Sequence, residues 1–149
     1  MSGLSKPCTV AISAFMLVLA IGIPPVAAQD ADMAQIDAIP GGLSTVFQSG
    51  NRNDAVVRQL AAQPGMDPGR NHALITQSGD DNHAEIAQEG GLNSASIAQT
   101  GSNNEGAIMQ MNSHHGAELQ QSGNGLSIKI EQYGAGIPGN PPVLVKQGN

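Results

Sequence analysis

Glutamine recurs at positions 77, 88, 99, 110, 121 and 132, an 11-residue spacing held over five intervals, and Gln48 and Gln59 carry the same spacing upstream. A fixed period of this kind marks a repeat architecture and constrains the fold more than any other property of the chain. The wording around each glutamine is shared, Gln-x-Gly-x-x-Asn-x-Ala-x-Ile-x-Gln, clearest in Gln77-Ser-Gly-Asp-Asp-Asn82-His-Ala84-Glu-Ile86-Ala-Gln88. Asn-x-Ala-x-Ile-x-Gln alternates with period two, as a strand with one buried face does. Glycine follows as the second residue after most glutamines, at Gly79, Gly90, Gly101 and Gly123, where a tight turn needs positive φ. Each 11-mer therefore reads as a seven-residue strand and a four-residue turn, and two of them make a 22-residue rung.

This spacing predicts nine strands, at 42–48, 53–59, 71–77, 82–88, 93–99, 104–110, 115–121, 126–132 and 141–147. The fold class is all-β: a cross-β solenoid of about four and a half rungs, stacked at ~4.8 Å into a block ~20 Å tall. Alternate strands share a sheet. One sheet then stacks Asn71, Asn93 and His115; Ala73, Ala95 and Ala117; Ile75, Ile97 and Leu119; and Gln77, Gln99 and Gln121. The other stacks Asn53, Asn82 and Asn104; Ala55, Ala84 and Gly106; Val57, Ile86, Ile108 and Ile130; and Gln59, Gln88, Gln110 and Gln132. Small and β-branched residues fill the gap between the sheets. A lone buried Gln is costly, but a ladder satisfies its donor and acceptor together.

Composition alone leaves disorder open, since 2% aromatic residues, no Trp and 19 Gly do not build a conventional core. The register of the repeats argues for order. Residues 1–28 read as a Sec-type signal peptide: Lys6, an apolar run over 10–23, then Pro24-Pro25 and the small-residue site Val26-Ala27-Ala28. Cys8 precedes the apolar run, so the mature chain lacks cysteine. Removing Lys6 leaves five basic and 12 acidic residues, a balance that disfavours nucleic acid as a partner. Residues 29–41 lack the repeat and are expected to stay flexible. Eleven residues separate Gln59 from Asn71 and eight separate Gln132 from Pro141; their prolines mark insertions at turns.

The repeat unit resembles that of the curlin family, the subunits of bacterial curli fibres, over roughly residues 42–147. The resemblance implies export as an unfolded chain through an outer-membrane curli secretion machinery, a companion curlin subunit, and self-association outside the cell into amyloid that supports adhesion and biofilm. The stacking positions it carries over are Gln48, Gln59, Asn53, Asn71, Gln77, Asn82, Gln88, Asn93, Gln99, Asn104, Gln110, Gln121 and Gln132. The chain departs from the pattern at Asn112 (for the turn Gly), at His115 and Leu126 (for Asn), at Gly106 (for Ala) and at Pro141-Pro142. These departures are expected to weaken the fourth rung and the C-terminal half-rung as growth surfaces. The apolar column resembles the minor, nucleating subunit more than the major one.

No Ser/His/Asp set or phosphate loop has the right context, so neither catalysis nor a cofactor is expected. His72 and His83 fall on opposite sheets and cannot share a metal; His114 and His115 are neighbours in a turn and a stacking slot. The rival reading is a monomeric β-solenoid adhesin that binds through its outer faces and the 64–70 loop. Uncapped ends favour the fibre, because soluble repeat proteins usually carry caps.

Overall fold

The computed structural model describes residues 32–37, 42–60 and 69–149, and among them it contains strands and turns but no helix. Residues 1–28, expected to be a signal peptide, most of the 29–41 segment and residues 61–68 lie outside the described residues. Ten strands follow in chain order: β1 (Met33–Asp37), β2 (Leu43–Asn51), β3 (Asp54–Leu60), β4 (His72–Asp80), β5 (His83–Glu89), β6 (Ser94–Thr100), β7 (Glu105–Met111), β8 (Gly116–Ser122), β9 (Ser127–Gln132) and β10 (Val143–Gly148). Odd strands form one parallel sheet in the order β1-β3-β5-β7-β9, and even strands form the other, β2-β4-β6-β8-β10. The chain thus winds as a β-solenoid of about five turns.

Register follows the repeat. Ala73 pairs with Ala95, Ile75 with Ile97 and Gln77 with Gln99 in one sheet; Ala84 pairs with Gly106, Ile86 with Ile108 and Gln88 with Gln110 in the other. Because side chains alternate between faces, the Ala and Ile columns all point inward. Ala55, Val57, Ala73, Ile75, Ala84, Ile86, Ala95, Ile97, Ile108, Ala117, Leu119 and Ile130 make one buried cluster. Removing each Ile from water contributes about 2–3 kcal/mol, so this narrow strip is the main apolar source of stability.

One expectation needs correction. Residues 29–41 are not wholly without structure, since β1 pairs in parallel with β3, matching Ala34 to Ala55 and Ile36 to Val57. The strand makes five turns of the expected four and a half. Its cause is legible afterwards: Asp32-x-Ala34-x-Ile36 keeps the inward alternation of the repeat but carries Asp where Asn belongs. A search keyed on glutamine passes over it.

The turns bring successive backbones into contact. At Gly79 (φ 112°) an added Cβ would lie 2.0 Å from the Gly101 carbonyl oxygen one rung on, so both the angle and the stacking demand glycine. Each compact turn also uses a second positive φ just before the Asn position, at Arg52, Asp81, Leu92, Asn103, His114 and Gly125. Asn112 takes the turn-glycine position at φ 81°, which asparagine tolerates better than most residues.

Gly106 and Leu119 form a matched pair. A Cβ at Gly106 would approach Leu119 Cδ2 and Gln121 Oε1 to 3.0 Å. Glycine in the Ala column makes room for leucine in the facing Ile column.

Candidate functional site: the amide ladders

Gln48, Gln77, Gln99 and Gln121 form one ladder, in which each Nε2 donates to the Oε1 of the next rung at 3.0, 2.9 and 2.9 Å. Gln59, Gln88, Gln110 and Gln132 form the other, at 3.0, 2.9 and 2.8 Å. Both run in one direction, donor toward the C-terminal end. The second hydrogen of each amide follows an equally regular rule: it goes to the carbonyl of the first residue of the preceding strand. Gln88 donates to His72 O at 3.0 Å, Gln99 to His83 O at 2.9 Å and Gln110 to Ser94 O at 3.1 Å. Those strands belong to the opposite sheet, so each glutamine ties rung to rung and sheet to sheet.

The asparagines run the other way. Asn82 Oδ1 accepts from the backbone N–H and Nδ2 of Asn104 at 3.1 and 3.0 Å, while Asn82 Nδ2 donates to Gly101 O in the next turn at 2.8 Å. Asn53, Asn71, Asn93 and Asn104 likewise donate to the turn carbonyls of Gly79, Gly90, Asn112 and Gly123, at 2.8 to 2.9 Å. These asparagines are buried, as are all the ladder glutamines except Gln48 and Gln132 at the two ends, which are half-buried. Buried amides at this density are tolerated because nearly every donor and acceptor is met inside the stack.

His115 occupies an asparagine slot and takes over its bonds. Its backbone N–H donates to Asn93 Oδ1 at 3.1 Å, and its ring Nε2 lies 3.0 Å from Met111 O and 2.6 Å from Gly134 O. Two carbonyl neighbours place the ring hydrogen on Nε2. Leu126 keeps the backbone half of the motif, donating to Asn104 Oδ1 at 3.1 Å, but has nothing to pass on.

Sequence reasoning missed three members. Asp32 Oδ1 accepts from Asn53 N and Nδ2 at 2.9 and 3.1 Å, standing in for an asparagine at the start of its column. Gln147 registers with Gln121 and places a glutamine in β10. A further column runs through the turns, where Asn51 donates to Asp80 Oδ1 at 3.0 Å and Asn124 N donates to Asn149 Oδ1 at 3.1 Å. Its signal is the Asn or Asp third after the glutamine at Asn51, Asp80 and Asn124, which Ser102 interrupts and Asn149, second after Gln147, does not share.

Apart from Asp32 at the head of its column, the ion pairs lie on the outside. Arg52 bonds Asp81 across adjacent turns, and that hydrogen bond holds the Asp81 carboxyl below the ordinary range. Arg58 pairs with Glu85 at 3.0 Å and His83 Nδ1 lies 3.1 Å from Asp54. On β9 the Lys129–Glu131 contact of 2.5 Å raises the lysine and lowers the glutamate, and the Glu131 bond raises Tyr133. His72 lies on β4 and His83 on β5, in different sheets. Among the described residues, no three His, Cys, Asp or Glu side chains are grouped to hold a metal.

The fold and its ladders define a β-solenoid of cross-β type whose rungs are self-similar and held together by amide columns. The chain carries the curlin associated repeat, whose family model matches twice, over residues 69–90 and 79–110, and this supports membership of the curlin family. The matched stretch spans β4 to β7, where all four amide columns are complete. No curated protein and no solved structure matches the chain.

Proposed function

We propose that this chain is a structural subunit of extracellular curli-type amyloid fibres that polymerises by stacking rung on rung. The observation that carries the reading is the pair of open ends: β1 and β2 at one, β9 and β10 at the other, each with a strand edge that no strand among the described residues pairs. Parallel edges that present backbone donors and acceptors template a further strand. Each internal Gln or Asn of a ladder bonds to a rung above and a rung below, as Gln88 and Gln99 do, so the same bonds that stabilise the monomer can continue through a growing stack. In this reading the 1–28 segment directs Sec export, an outer-membrane curli machinery completes secretion, and the fibre serves adhesion and biofilm together with a companion curlin subunit.

Thioflavin-T fluorescence of the chain diluted from denaturant, with and without preformed seeds, tests the proposal. A sigmoidal rise whose lag is abolished by seeds is expected. A flat trace from a folded, β-rich monomer would instead support a solenoid that binds through its outer faces.

A further inference from the structure

The columns are not equally complete along the stack. From β4 and β5 to β6 and β7 all four amide columns run through: Asn71 to Asn93, Asn82 to Asn104, Gln77 to Gln99 and Gln88 to Gln110. The terminal strands differ. At the C-terminal edge the four inward column positions are Leu126, Gln132, Pro141 and Gln147; at the N-terminal edge they begin with Asp32 on β1 and with Gly42 and Gln48 on β2.

If a second copy stacks β1 on β9 and β2 on β10 in the register used throughout the chain, the apolar columns continue. Ile130 meets Ile36 and Val145 meets Val46. The amide columns largely do not. Leu126 faces Asp32 and Pro141 faces Gly42, while Gln132 finds no glutamine among the described inward residues of β1, namely Asp32, Ala34 and Ile36. Only Gln147 over Gln48 completes a column: with the donor-toward-C-terminus polarity of the ladder, Gln147 Nε2 is placed to donate to Gln48 Oε1 of the next copy. On the outer face Glu131 comes into register with Asp37, a like-charge pair that Lys129 only partly offsets.

We infer that the junction between copies is a weak seam, held by backbone pairing, apolar contact and the single Gln147–Gln48 column, so that a fibre parts into folded solenoids before the solenoids unfold. This rests on the fibre reading above and adds to it the partner surface, a second copy of this chain docking β1 and β2 against β9 and β10. The strength of each rung step scales with the amides that cross it, and this step has one column where an internal step has up to four.

Fibres of the full chain are titrated with urea, and the material released is separated by sedimentation and examined by far-UV circular dichroism and size. A range of urea is expected in which released single chains keep their β signal. Asp32→Asn combined with Leu126→Asn restores one column, and release at fixed urea should fall about fivefold, as one added hydrogen bond of about 1 kcal/mol implies. Gln147→Leu cuts the remaining column and should raise release by a similar factor; it stands alone as a test should the double variant not fold. Release only of unfolded chains, or release unmoved by these variants, overturns the seam while leaving the fibre intact. A chain that folds but forms no fibre overturns both readings.

Discussion

At the residue scale the ladder amides and the outer-face charges differ sharply in what they hold. Gln99 is 1% exposed, accepts from Gln77, and donates to Gln121 Oε1 and to His83 O. Gln99→Ala strands a buried acceptor on Gln121 and opens a void, a loss of about 3 kcal/mol. Glu85→Ala removes an exposed pair with Arg58 and costs about 0–1 kcal/mol. Urea unfolding of the soluble chain, below the concentration at which it assembles, reads both; equal midpoints would sink the ladder argument. The glutamines were legible in the sequence because a ladder needs the same side chain at every step. The second positive φ of each turn was not, because that position is occupied by Arg52, Asp81, Leu92, Asn103, His114 and Gly125 in successive turns, and no shared side chain advertises it. Leu92 at φ 60° carries a backbone cost of about 1–2 kcal/mol that only the surrounding stack makes tolerable.

At the element scale, what fixes a strand here is its inward alternation and not its glutamine. β1 shows this, since Asp32, Ala34 and Ile36 suffice to pair it with β3, whereas a reading keyed on glutamine expects 29–41 to be a flexible segment. The departures that seemed to weaken the fourth rung turn out to be accommodated in its monomer geometry. Asn112 adopts the turn glycine's φ, His115 donates as asparagine does, and Gly106 is matched by Leu119. Such matching between facing sheets cannot be seen from either 11-mer alone. It yields a coupling prediction: Gly106→Ala should overpack against Leu119 and cost about 1–3 kcal/mol, while Leu119→Ile in the same chain should recover most of that loss. A double-mutant cycle on denaturation midpoints measures the coupling. Additive costs would mean that the two residues do not share the space assigned to them. The same scale shows where the sequence inserts residues: both longer connections, before β4 and before β10, follow odd strands, β3 and β9. The turns after β2, β4, β6 and β8 stay short and keep their glycine, as the Gly79 and Gly101 contact demands.

At the scale of the whole molecule, each rung touches only its neighbours, so stability is a sum over rungs and the steps between them and not a property of one central core. Those terms are graded. Side chains on β4 to β8 alternate between buried and outward positions, with Ile75, Ile86, Ile97 and Ile108 at 0–1% exposure. At the ends every residue of β1 is exposed and most of β10 is too. The amide columns are complete in the middle and lapse at Leu126, Pro141 and Gly42. Backbone bonds at the ends therefore open by fraying, at small free energy, whereas those at the centre require the rungs on both sides to part first. Hydrogen exchange of the soluble chain should show protection rising from β1 through β3 to a maximum over β5 to β7 and falling again through β9 to β10. The gradient should flatten when Gln99→Ala lowers the central terms. Uniform protection that collapses in a single step would mean that the solenoid unfolds as one cooperative unit, and that the amide columns couple all rungs more tightly than nearest-neighbour stacking allows.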